Sequence, residues 1–169
     1  MTAKEDLLFV SGLGLITAGV FPVLSGKTVA LPSIPGRQVV VRVIAIATPT
    51  AVAVAASALI GIPLIYAAPV IMVIAAVVIA LLRKDLAVVA LAGAAGTLII
   101  YTGLSLIYEM LIPGVFELNW NTDAFSDVFI LGIPMEELLY GASSGGVGSV
   151  VVVFVLGGTF VKRSQPDAR

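Results

Sequence analysis

Leu64-Ile65-Tyr66-Ala67-Ala68-Pro69-Val70-Ile71-Met72-Val73-Ile74-Ala75-Ala76-Val77-Val78-Ile79-Ala80-Leu81-Leu82 carries no charge and is followed at once by Arg83-Lys84-Asp85. A helix needs about 20 apolar residues to cross roughly 30 Å of hydrocarbon, and this run meets that length before a charged turn. Comparable runs lie on both sides of it, over residues 7–24, 43–60, 86–110 and 134–160. Helices satisfy their own backbone in lipid, and none of these runs shows the alternation of a barrel strand. The expected fold is therefore an all-α integral membrane protein, a bundle of about five transmembrane helices forming a single polytopic domain over residues 1–169.

The breaks between runs carry turn chemistry. Residues 26–36 hold Pro32 and Pro35, Gly61-Ile62-Pro63 is a tight uncharged turn, and Pro113-Gly114 ends the fourth run. Basic residues orient the bundle. Lys27, Arg37, Arg42, Arg83, Lys84, Lys162, Arg163 and Arg169 fall on one side of the five-helix layout, and Lys4 falls on the other. This asymmetry predicts an outside N-terminus and a cytoplasmic C-terminus in the cell (plasma) membrane. Arg42 and Lys162 are expected to snorkel at helix ends.

Composition agrees. The chain of 169 residues is 60% hydrophobic and 11% charged, against roughly 25% charged residues in soluble domains. Its net charge of −1 gives no case for nucleic acid as a partner. Cysteine is absent, which excludes disulfides and thiolate chemistry. Histidine is absent too, which removes the commonest general base and metal ligand. An intramembrane metalloprotease of the Glu-Glu type, whose ligands include histidines, is set aside on that ground. No metal is expected.

What remains for chemistry is Glu136-Glu137, in Ile133-Pro134-Met135-Glu136-Glu137-Leu138-Leu139-Tyr140 at the head of the last run. A carboxylate in or near hydrocarbon costs several kcal/mol unless it is paired, neutralised or hydrated, so two together mark a site. Pro134 suits a first helical turn, which would place both acids at the positive end of the helix dipole. A start at Asp127, with a kink at Pro134, is the alternative. Glu137 lies on a row with Gly141, Gly145 and Ser149 at spacing four, which permits close approach of another helix, including one from a homodimer. Tyr140 is placed to hydrogen-bond Glu136. On the fourth run Tyr101, Ser105 and Glu109 share a face, with Tyr108 beside them; they form either an interfacial belt or a polar wall opposite the acids. Trp120, between Asn119 and Asn121, reads as an interfacial anchor. The plain reading of the acidic pair itself is a helix start solvated by headgroups.

Over about residues 83–163 the chain resembles the lycopene cyclase domain of the membrane-integral type, found as two small subunits or a fused tandem chain. Three elements carry the resemblance in order: Arg83-Lys84-Asp85 with the helix after it, then Pro113-Gly114-Val115-Phe116-Glu117-Leu118-Asn119-Trp120-Asn121, then Gly132-Ile133-Pro134-Met135-Glu136-Glu137-Leu138-Leu139, which looks like that family's Pro-x-Glu-Glu signature. The resemblance implies a cofactor-free, non-redox cyclisation in which Glu136 and Glu137 act as the acid and its partner in cation stabilisation or deprotonation. It also implies a hydrophobic isoprenoid or carotenoid ligand, and a second membrane subunit or domain. Two departures bear on this. Many relatives carry aromatic residues where this chain has Ser143-Ser144-Gly145-Gly146-Val147-Gly148, and the apolar runs of the N-terminal half contain no acid. A non-catalytic binder or subunit of the same fold, and a proton or ion pathway through Glu109, Glu136 and Glu137, are the rival functions.

Overall fold

A computed structural model describes residues 3–119 and 126–163 of the chain. In order these form α1 (Ala3–Ser25), β1 (Lys27–Ala30), α2 (Gly36–Ile60), α3 (Leu64–Leu82), a single 3-10 turn (Lys84–Leu86), α4 (Ala87–Leu111), α5 (Val115–Asn119), β2 (Phe129–Ile130), β3 (Ile133–Pro134), α6 (Met135–Val155) and β4 (Thr159–Lys162). The five long helices are α1 to α4 and α6. Four of them, α2, α3, α4 with its preceding turn, and α6, are long and apolar enough to cross a membrane. The protein is a helical membrane protein.

The helices alternate in direction. Tyr66 in the first turn of α3 meets Glu136 in the first turn of α6, so these two helices run the same way. Tyr101, late in α4, meets Glu137, whereas Gly93, early in α4, lies against Ser149, so α4 runs opposite to α6. Helix α6 occupies the centre, packed against α4, α3 and α1. It is the least apolar of the four candidate spans and the most buried; α2, at the edge, has no buried residue.

The uncharged break at Gly61 is a real turn. Gly61 takes a left-handed φ of 76°, and the amides of Gly61 and Ile62 return to the carbonyls of Ala58 and Ser57, closing the helix end before Pro63. Elsewhere the spans differ from the sequence expectation. Helix α2 begins at Gly36, behind Pro35, rather than at 43. Arg37, Gln38 and Arg42 make its first turns polar, and a hydropathy reading sees only the apolar remainder. The last helix stops at Val155 rather than 160. Gly157, at φ 69°, and Gly158 bond back to Phe154 and Val153, and the chain leaves as β4.

Strand β4 pairs antiparallel with β1, with Lys27 opposite Lys162 and Ala30 opposite Thr159. This clasp joins the 26–36 connection to the end of α6, and the Phe21 and Phe160 rings meet edge to face at 4.7 Å across it. Arg42 does more than snorkel: its Nη1 donates at 3.2 Å to the Phe154 carbonyl, which also accepts the Gly157 amide at the end of α6. Arg83 holds Asp85 with two hydrogen bonds and also donates to the Gly158 carbonyl at 3.3 Å. Apart from Lys4 in the first turn of α1, the described basic residues therefore gather around one end of the bundle. A core of Ile79, Leu86, Val89, Ala90, Val150, Val153 and Phe154 fills that end, and a smaller one of Val115, Phe116, Ile133 and Leu138 fills the other.

Candidate functional site

Helix α6 starts where proline allows it. Pro134 caps the helix at φ −56° and ψ 137°, Met135 is its first residue, and Glu136 and Glu137 stand in its first turn. The alternative start at Asp127 is not formed. Residues 129–134 instead make a two-stranded hairpin, with Ile130 opposite Ile133 and both turn residues, Leu131 and Gly132, at positive φ (55° and 82°). Two positive φ values at a two-residue turn match the twist of the flanking strands. The Met135 amide donates to the Val128 carbonyl, which seats the hairpin on the helix.

The acids are not a solvated helix start. Glu136 is 2% exposed and Glu137 3%. Adjacent helical positions point in different directions, and here they point to different helices. Glu136 Oε1 accepts the Tyr66 hydroxyl of α3 at 3.2 Å and the Ser126 amide at 2.8 Å. Its Oε2 is buried without a hydrogen-bond partner among the described residues. Glu137 Oε2 accepts a short hydrogen bond from the Tyr101 hydroxyl of α4. Each carboxylate is thus held by a tyrosine from a separate helix.

Below the pair, α4 and α6 meet along two rows at spacing four. Tyr101 lies on Gly141, Thr97 on Gly145, and Gly93 on Ser149. A Cβ at Gly93, Gly141 or Gly145 would collide with the facing helix, which is the physical need for glycine there. The Gly141, Gly145 and Ser149 row is spent inside the chain, and not on the homodimer contact that the spacing also allowed. Thr17 of α1 closes the seam, lying against Gly148, with its carbonyl 2.9 Å from Ser149 Oγ. Thr97 Oγ1 is buried in the seam without a hydrogen-bond partner among the described residues.

The other expected lining residues separate. Ser105 is buried on the α4 face that carries Tyr101. Glu109, one turn further, does not join the pair; its Oε1 accepts the Gly114 amide at 2.8 Å and so fixes the turn after α4. Tyr108, two turns after Tyr101, is 47% exposed. Tyr140 is half-buried, but the hydroxyl on Glu136 belongs to Tyr66 and not to Tyr140. Pro134 is buried as the helix cap, and Trp120 lies outside the described residues. Tyr66 was missed by sequence reasoning. Its signal was a phenol in the first turn of an otherwise aliphatic span, with nothing local to name a partner 70 residues away. Among the described residues no group of histidine, cysteine and acidic side chains is arranged to hold a metal ion.

Residues 63–155, more than half of the chain and covering α3, α4 and α6, match the family model described as Lycopene cyclase. No curated protein matches the chain. No solved structure matches it.

Proposed function

Since the chain belongs to the lycopene cyclase family, we propose that it catalyses acid-driven cyclisation of an acyclic carotenoid or isoprenoid end group at Glu136 and Glu137. One observation carries the reading. The two acids of the Pro134-Met135-Glu136-Glu137 stretch are buried side by side in a helical membrane protein, each held by a tyrosine from a different helix. Isomerisation of this kind takes a proton from one carboxyl group onto a terminal alkene carbon. The resulting cation is closed by the π pair of a neighbouring alkene, forming the ring C–C bond. A proton then leaves an adjacent carbon for the second carboxylate, and its C–H pair becomes the ring double bond. No proton is consumed overall, so two carboxyl groups suffice without histidine.

The protein is placed in the plasma membrane with its basic end, including the β1–β4 clasp, in the cytoplasm. The acids then sit toward the outer side, within reach of a C40 hydrocarbon that enters from the bilayer. A second membrane subunit is the expected partner.

Expression in lycopene-accumulating cells tests the reading, alone and with candidate partner subunits. Cyclic carotenoids are the expected product, and Glu136→Gln or Glu137→Gln abolishes them. Acyclic pigment that copurifies unchanged, with retention weakened by the same substitutions, selects a binding protein of the same fold. That second reading draws on residues 143–148, small residues that offer no aromatic face to a carbocation.

A further inference from the structure

The first turns of α2 stand at the basic end of the bundle and line a cavity that the acidic pair does not share. Pro35, Arg37, Gln38, Val41 and Arg42 surround about 600 Å³ of open space, within the roughly 300–1,000 Å³ of small-molecule sites. No acid lines it, and none stands in the first turn of α2. The one ion pair among the described residues, Arg83 with Asp85, lies on a different element. Arg37 and Gln38 are exposed, and their side chains have no partner among the described residues. Arg42 is half-buried and fixed: its Nη1 donates to the Phe154 carbonyl, and a Cβ at Gly157 would lie 2.5 Å from the same nitrogen. An arginine carries five N–H donors, so most of this guanidinium is left without a partner. Two guanidinium groups and a side-chain amide thus line one cavity, and nothing negative in it answers them.

Beyond the cavity the same face of α2 turns apolar. Val41 and Ile44 follow Arg37 at spacings of four and seven, and both are more than half exposed. Helix α2 is long and apolar enough to cross a membrane and has no buried residue, so this face meets acyl chains. A ligand that answers both parts carries a negative group on a hydrocarbon chain. We propose that the cavity at Arg37, Gln38 and Arg42 binds the phosphate group of an anionic phospholipid, whose acyl chain lies along Val41 and Ile44. Guanidinium groups suit phosphate because their planar forks present paired donors, and they shed water more readily than an ammonium does. The level in the bilayer agrees. Arg42 is tied to the end of α6, and basic residues at a helix end sit at the depth of anionic headgroups. A lipid seated there also joins α2, the edge helix, to the end of the central helix through Arg42. The proposal stands on the membrane fold and is independent of any cyclisation at Glu136 and Glu137.

The test uses the purified full chain in neutral detergent, with bound lipid counted by native mass spectrometry. The probes are dioctanoyl phosphatidylglycerol and dioctanoyl phosphatidylcholine, which share chains and phosphate but differ in net charge. The wild type is expected to bind the anionic lipid at least about tenfold more tightly. Arg37→Gln, which breaks no contact among the described residues, lowers that preference at least about threefold, and Arg37→Gln with Arg42→Gln removes it. Arg163→Gln takes the same charge from the same end, outside the cavity, and keeps the preference. Equal binding of the two lipids by the wild type overturns the proposal, as does a preference that survives the double substitution. A preference that falls as far in Arg163→Gln as in Arg37→Gln also overturns it, because a diffuse basic field would then be at work. Should the double variant fail to fold, Arg37→Gln decides alone, and an undiminished preference overturns the proposal. Glycerol phosphate separates the two sources of the group. If it displaces the lipid at equal concentration, the ligand is a soluble phosphate ester and the lipid assignment is wrong; lipid that stays bound supports it.

Discussion

Tyr101 packs on Gly141 so closely that a Cβ built on the glycine would lie 2.9 Å from Cγ and Cδ1 of the ring, while the hydroxyl of the same ring reaches Glu137 one helical turn earlier. The bare glycine and the acid are therefore two parts of one arrangement: the first lets the ring approach, and the second receives its hydroxyl.

Gly141→Ala is expected to displace the ring and lower stability in detergent by about 1–3 kcal/mol, the usual cost of overpacking. In a Tyr101→Ala background the same change should cost almost nothing, because the colliding atoms are gone. Thermal melting of the four proteins in the cycle measures this. Equal costs in both backgrounds would place Tyr101 elsewhere.

Gly145→Leu probes the next level of the seam. A side chain there meets Thr97 and the Gly93 backbone, and backbone has no rotamer by which to retreat. A melting temperature well below wild type is expected. An unchanged curve would mean that this face of α6 looks at lipid.

The clasp end makes a separate prediction. Arg42→Ala removes the charged donor from the Phe154 carbonyl and leaves only the Gly157 amide on it. A loss of about 1–3 kcal/mol is expected for a charge-assisted hydrogen bond. Faster amide exchange in residues 152–158, with the Tyr66 end of α3 unaffected, distinguishes a local from a global effect.

Topology is tested by fusion. A reporter after residue 163 should read as cytoplasmic, and one inserted at 113–119 should read as external. An external signal at the C-terminus would reverse the orientation drawn from the basic residues.

The helical bundle was legible because lipid imposes a simple rule, so apolar run length alone located five helices. The start of α6 was legible from Pro134, whose missing N–H and fixed φ suit a helix start. The family was legible from Pro-x-Glu-Glu in its order after Pro113 and Asn119. Hydropathy could not find the first turns of α2, because Arg37, Gln38 and Arg42 are helical without being apolar. Nor could it find the β1–β4 ladder: residues 27–30 and 159–162 pair across the whole chain, and each alone is too short to show alternation. Tyr66 escaped for the same reason, since a contact spanning 70 residues leaves no local trace. Tyr140 stands out beside Glu136 because spacing along one helix is visible in a sequence and the neighbouring helix is not.

The central helix is also the least apolar of the candidate spans, and it comes last among them in the chain. During synthesis α2 and α3, more apolar and less buried, partition into the bilayer on their own merit. Helix α6, with two acids at its head and glycines and serines along its length, is the poorest candidate to enter lipid alone. It emerges when α3 and α4 already present Tyr66, Tyr101 and the Gly93–Thr97 face to receive it. Its insertion is expected to be a docking event, in which the groups that complete the site also cover the polar head of the helix.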